Sequence, residues 1–139
     1  MTSNGYLMIM GEIDRLFKKG LEFDSAGGME TGSIPITMQL VARYQVDGFF
    51  VRKQPKDYGL HHEIEGLVHD KVLVIDDVIS TGGGIMKVIE TLKDADIVGI
   101  LCVMTRDSLG GVDKIKSTGI PLYTMTTEKK VLKVYNRTG

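Results

Sequence analysis

Residues 71–84, KVLVIDDVISTGGG, decide the fold. Val72, Leu73, Val74 and Ile75 form an unbroken apolar run rich in β-branched residues, the pattern of a central parallel strand buried on both faces. Asp76 and Asp77 stand where that strand is expected to end, at the edge where open α/β sheets place their ligand crevice. Ser80-Thr81-Gly82-Gly83-Gly84 then offers closely spaced backbone N–H groups and two hydroxyls just ahead of an expected helix N-terminus. Such a turn is an anion cradle, and phosphate is its usual guest. Paired carboxylates beside a phosphate nest suit a ligand with vicinal hydroxyls and a phosphate, which describes a phosphorylated ribose.

Spacing excludes two commoner nucleotide motifs. A Walker A loop reads G-x-x-x-x-G-K-[ST], and no glycine in this chain is followed by lysine. A dinucleotide fingerprint places its glycines directly after the strand and its acid much later, whereas here the acids come first. A turn that merely caps a helix needs one carboxylate and one glycine rather than two and three.

Outward from this stretch the chain alternates between strand-like and helical patterns. Residues 7–19 read as an amphipathic helix, with Met10, Ile13, Leu16 and Phe17 on one face and Gly20 as its stop. A short strand over 21–26 leads into the turn GGMETG at 27–32. Ser33 can cap the next helix, which carries Pro35 in its first turn and Ile36, Leu40 and Tyr44 along it. A strand over 48–52 is followed by a long polar loop over 53–66. Beyond Gly84 come a helix over 85–94 with Ile85, Val88, Ile89 and Leu92 inward, and a buried strand over 97–104. A last strand over 120–125 precedes a helix over 128–136 with Val131, Leu132 and Tyr135 inward. The pattern predicts an α/β fold, a doubly wound and mostly parallel sheet flanked by helices, as one domain over 1–139. The 27–32 turn also joins a strand to a helix and makes a second nest, so the expected ligand is anionic at both ends.

Composition narrows the function class. Seventeen basic residues balance eighteen acidic ones, so no general nucleic-acid or membrane surface is implied. The apolar run at 6–10 is too short for a signal or spanning helix. The lone Cys102 lies inside a strand-like run and reads as core packing in a reduced cytosol.

Residues 71–84 resemble the phosphoribosyl-pyrophosphate (PRPP) motif of the type I phosphoribosyltransferases. Residues 50–66, FVRKQPKDYGLHHEIEG, resemble the catalytic loop of the orotate phosphoribosyltransferases, which reads Arg-Lys-x-x-Lys-Asp/Glu-His-Gly and runs into Ile-Glu-Gly. The two motifs stand in the family's order, and the similarity extends from about Leu7 to the C-terminus.

The resemblance implies transfer of a phosphoribosyl group from PRPP to orotate, giving orotidine 5-monophosphate and pyrophosphate. Ser80, Thr81, Gly82, Gly83 and Gly84 would hold the 5-phosphate, Asp76 and Asp77 the ribose hydroxyls, and the turn containing Thr31 the pyrophosphate. Arg52, Lys53, Lys56 and Tyr58 would bind PRPP from the loop. Lys56 and Arg52 would act catalytically on the leaving pyrophosphate, with Asp76 and Asp77 stabilising positive charge on the ring. Arg106, in Thr-Arg-Asp-Ser-Leu-Gly-Gly, would grip the orotate carboxylate together with Ser80, although the family's Asp-Arg-x-x-Gly-Gly is one residue shorter. Mg²⁺ would be carried mainly by PRPP, with no direct protein ligand. The loop reaches into the neighbouring site in the family, so a cytoplasmic homodimer without nucleic-acid or membrane partners is implied.

Two departures stand out. Tyr58 replaces the family's histidine, and His61 and His62 follow it without metal-site spacing. Family members carry a segment ahead of the first helix that covers the base site, whereas Met1–Tyr6 alone precede Leu7 and match nothing in it, so an open acceptor pocket is expected. These departures keep two alternatives in play: PRPP transfer to another base, and a degenerate or regulatory PRPP-binding protein.

Overall fold

The computed structural model describes residues 3–54 and 63–138. Helix α1 (Ser3–Lys18) leads into β1 (Ser25–Met29), α2 (Ile34–Tyr44), β2 (Asp47–Val51) and the short β3 (Ile64–Gly66). Then follow β4 (Lys71–Ile79), α3 (Gly83–Thr91), β5 (Asp96–Thr105), α4 (Gly111–Ser117), β6 (Leu122–Thr127) and α5 (Glu128–Thr138). The six strands form one sheet in the order β3-β2-β1-β4-β5-β6, all parallel except β3, which runs antiparallel to β2.

The alternation along β4 explains its unbroken apolar run. Leu73 and Ile75 join the core under α1 and α2, with Ile13, Leu16, Ile36 and Leu40. Val72 and Val74 join the opposite core under α3 and α4, with Ile85, Val88 and Ile115. A strand covered on both faces has no polar side to show. All four side chains are fully buried.

Strand order locates the site before any side chain is considered. From β1 the chain winds through α2 to β2 on one side, and from β4 through α3 to β5 on the other. β1 and β4 are neighbours. The winding therefore reverses between them, and a crevice opens at their carboxyl ends.

The structure corrects several sequence expectations. Gly27 and Gly28 lie inside β1, which starts four residues later than the expected strand. Asp76 and Asp77 lie within β4 rather than after it, because pairing with β5 continues to Ile79 and Thr105. Part of the expected loop is the edge strand β3, whose three residues are too few for a period to show. Helix α4 has no counterpart in the sequence reading, since its seven residues bury Gly111 and Ile115 and leave too short an apolar pattern.

Helix α5 forms as expected, but its apolar residues do not turn inward. Val131, Leu132 and Tyr135 are 45%, 52% and 70% exposed. The helix follows the edge strand β6 and packs chiefly against it, which leaves these three side chains exposed.

Candidate active site

The reversal between β1 and β4 opens into a cleft of about 530 Å³, within the range of small-molecule pockets. One wall is the turn after β1, with Glu30, Thr31 and Gly32, and the other is the run from Ser80 to Gly84. Asp76 and Asp77 form the floor, and Lys53 reaches in from the end of β2.

Each part is held by identifiable contacts. The Asp77 backbone N–H donates to Asp76 Oδ1 at 2.8 Å, and the Val78 N–H donates to Asp77 Oδ1 at 2.7 Å. A Cβ on Gly32 would lie 2.5 Å from Asp77 Oδ1, so only glycine lets the first wall approach the carboxylate this closely. Gly82 precedes α3 at φ 84°, in the left-handed region that favours glycine. As the N-cap of α3, Gly82 has no side chain to offer its first-turn amides, and Gly83, Gly84 and Ile85 of that turn line the cleft. Ser33 does not cap α2 as the sequence suggested; its hydroxyl donates to Met29 O at 2.7 Å and tightens the turn after β1.

Burial sets the charge state of the floor. Desolvation, reinforced by the neighbouring Asp77 carboxyl, pushes Asp76 up to about 7. Lys53 opposes the shift from across the cleft. A cleft with two carboxylates, a cation and an amide cradle fits a ligand that combines hydroxyls with phosphate groups.

Comparison with known proteins agrees with this geometry. The chain is 35% identical to the orotate phosphoribosyltransferase of Pyrococcus furiosus over 112 residues, which are 78% of this chain and 61% of that protein. It is 33% identical to the Bacteroides thetaiotaomicron orotate phosphoribosyltransferase over 133 residues, 92% of this chain and 63% of that one. The solved structure of Mycobacterium tuberculosis orotate phosphoribosyltransferase in complex with PRPP matches with a TM-score of 0.72 at 22% identity, covering 90% of this chain and 74% of the other. The chain has the fold of the type I phosphoribosyltransferases. No protein-family model matches it. The chain thus spans less than two thirds of the length of either curated relative.

Of the residues singled out from the sequence, the phosphoribosyltransferase fold gathers Thr31, Lys53, Asp76, Asp77, Ser80, Thr81, Gly82, Gly83 and Gly84 around one cleft. Arg52 and Arg106 are not among the residues that line it. The Arg52 guanidinium pairs with Glu65 on β3 and is largely buried. Its Nε has no hydrogen-bond partner among the described residues. Arg106 starts at the cleft rim, where its N–H donates to Ile79 O at 2.8 Å, but its Nε donates to Glu128 Oε1 at 3.1 Å. Lys56, Tyr58, His61 and His62 lie outside the described residues. No helix among the described residues is long and apolar enough to cross a membrane.

Three residues make contacts at the site that the sequence reading did not assign to them. Glu30 accepts a hydrogen bond from the Lys53 N–H at 3.1 Å, and Lys87 on α3 donates to Lys53 O at 2.7 Å and Arg52 O at 3.3 Å. Gly111 supports the cradle from behind, donating to Ser80 O at 3.0 Å. A surface lysine and a helix-start glycine carry no local signal of such distant partners. Their only trace in sequence is a cation among the polar residues of α3 and a Gly-Gly pair before α4.

Proposed function

We propose that the chain transfers a phosphoribosyl group from PRPP to orotate, forming orotidine 5-monophosphate and pyrophosphate in the cytoplasm. The observation that carries this reading is the Asp76–Asp77 pair between two anion-binding turns at the sheet's reversal point. Its support from relatives is the identity to orotate phosphoribosyltransferases over most of the chain.

Each wall takes one end of PRPP. The amides of Gly82, Gly83 and Gly84 and the hydroxyls of Ser80 and Thr81 hold the 5-phosphate, with the N-terminus of α3 behind them. The turn with Thr31 receives the pyrophosphate, near Lys53. Asp76 and Asp77 accept hydrogen bonds from the ribose hydroxyls. As the bond from the anomeric carbon to the pyrophosphate oxygen breaks, the ring becomes cationic and the two carboxylates stabilise it. The ring nitrogen of orotate, having given its proton to solvent water, forms the new bond to the anomeric carbon, and pyrophosphate leaves with the electron pair of the broken bond. Lys56 and Arg52 are assigned to the leaving group on the strength of the loop's resemblance.

The donor set also fits a hard cation, since the floor presents carboxylate oxygens and a cation there would favour ionised Asp76. No group of three or more His, Cys, Asp or Glu able to hold a metal is found among the described residues. Mg²⁺ carried by PRPP would supply charge neutralisation on the pyrophosphate, and Asp76 and Asp77 are the carboxylates of the cleft that would face it.

A second reading keeps PRPP and changes the acceptor. It is favoured by the Arg106–Glu128 pair, which turns the proposed orotate-binding cation away from the cleft. Loss of orotate absorbance in the presence of PRPP and Mg²⁺, measured beside PRPP calorimetry, separates the readings. PRPP binding with no orotate consumption overturns the orotate assignment, and failure to bind PRPP overturns both.

A further inference from the structure

Three hydrogen bonds converge on one dipeptide at the mouth of the cleft. Lys87 Nζ donates to the carbonyl oxygens of both Arg52 and Lys53, and the Glu30 carboxylate accepts from the Lys53 N–H. The donors and acceptors come from the two walls of the cleft: Glu30 from the turn after β1, Lys87 from the second turn of α3. Glu30 is anchored in turn, its own N–H donating to Val51 O at 3.1 Å. Lys53 is the one residue on this dipeptide that lines the cleft.

We propose that Lys87 is a positioning residue which, with Glu30, fixes the Lys53 peptide so that the Lys53 ammonium stands over the pyrophosphate side of the cleft. The inference rests on the PRPP reading above and adds a residue to it. An ammonium bonded to two consecutive carbonyls leaves the peptide between them little freedom to rotate. An N–H held by a carboxylate on the other side removes what remains. Charge-assisted bonds of this kind are the strong class. Without them Lys53 would be a flexible cation on a chain leaving a strand end, spending much of its time in solvent. Lys87 itself does not line the cleft, so its effect on a ligand passes through Lys53.

A double-mutant cycle with two readouts tests this. PRPP affinity is measured by calorimetry, and the Asp76 carboxyl titration by carbon NMR on the free protein, for wild type, Lys53→Ala, Lys87→Met and the double variant. Lys87→Met is expected to weaken PRPP about tenfold and to raise the Asp76 midpoint, because Lys53 no longer stands opposite it. In the Lys53→Ala background the same substitution is expected to change neither quantity, and Lys87→Arg is expected to restore most of the loss. Equal effects of Lys87→Met with and without Lys53 would overturn the inference, since a residue acting directly, or only on stability, adds its effect in both backgrounds. If wild type binds no PRPP, the functional reading fails, and the Asp76 titration in the free protein still decides for or against the positioning role.

Discussion

Asp76 is where the fold and the chemistry conflict. Its carboxyl is pushed up to about 7 from an ordinary value of 3.8, chiefly by burial and then by Asp77. The folded protein therefore holds this proton more tightly than the unfolded chain does. Stability from this group is complete below about pH 3.8 and is lost as pH rises through 7. Asp76→Asn removes the buried charge and keeps the shape, so it should melt higher than wild type at pH 8. Roughly 4 °C is expected for each kcal/mol of relieved desolvation, with a gap that closes as pH is lowered towards 4. A pH-independent gap in thermal melts would contradict this account. The same substitution should weaken the ribose contacts and reduce turnover. Arg106 poses the complementary question, because it is half-exposed and already paired with Glu128. Such a pair adds little stability. Arg106→Ala should raise the KM for orotate about tenfold with the PRPP Kd unchanged, while Glu128→Gln should lower it several-fold by releasing the guanidinium. If neither variant moves the KM, the acceptor carboxylate is recognised elsewhere.

At the scale of elements, the β4–α3 connection behaves as a unit with α4. Gly111 donates to Ser80 O, and a Cβ there would overlap that oxygen and lie 2.8 Å from Gly82 N. Gly111→Ala should therefore push the cradle out of shape and cost at least tenfold in PRPP affinity, although residue 111 lies outside the cleft. Calorimetry beside a far-ultraviolet spectrum checks it, and unchanged affinity in a folded variant would show that the cradle is rigid without α4. This coupling marks the limit of what was legible in the sequence. The strand run at 72–75, the acid pair and the glycine turn were readable because their signals are local: period, burial on two faces and backbone freedom. The same signals placed α2 and α3, whereas the reversal between β1 and β4 comes from the strand order of the sheet. What could not be read was set by distant partners. β3 exists because three residues find the edge of β2, and α4 because Ile115 finds the α3 core. The turn of Arg106 towards Glu128 and the reach of Lys87 to Lys53 depend on elements 22 and 34 residues away along the chain. The apolar face of α5 misled for the same reason, since periodicity shows that a face exists and not what lies opposite it.

At the scale of the whole molecule, the loop's resemblance implies a second copy of the chain. The basic loop's resemblance assigns Lys56 to a neighbouring site, and large apolar side chains stand exposed on α1 and α2, with Leu7 at 67%, Met8 at 75% and Met38 at 53%. Such residues on a helical layer that also carries the core beneath it are the kind a homodimer covers. If the site is shared, two defects on different chains should complement one another. Lys56→Ala should lower kcat by about 10² with little change in PRPP affinity, since the lysine acts on charge that develops as pyrophosphate leaves. A double variant, Asp76→Asn with Asp77→Asn, should be inactive through its own cleft yet still lend an intact loop. Mixed dimers then contain one cleft with both wild-type aspartates and a partner's wild-type Lys56. Random exchange of equal amounts makes half of the dimers mixed, each with one complete site, so the mixture should recover about a quarter of wild-type activity. Activity that stays at the level of the parent variants, in a mixture whose subunit exchange is verified by light scattering and mass labelling, would place Lys56 in its own chain's site. The loop would then serve the cleft from which Lys53 already reaches in.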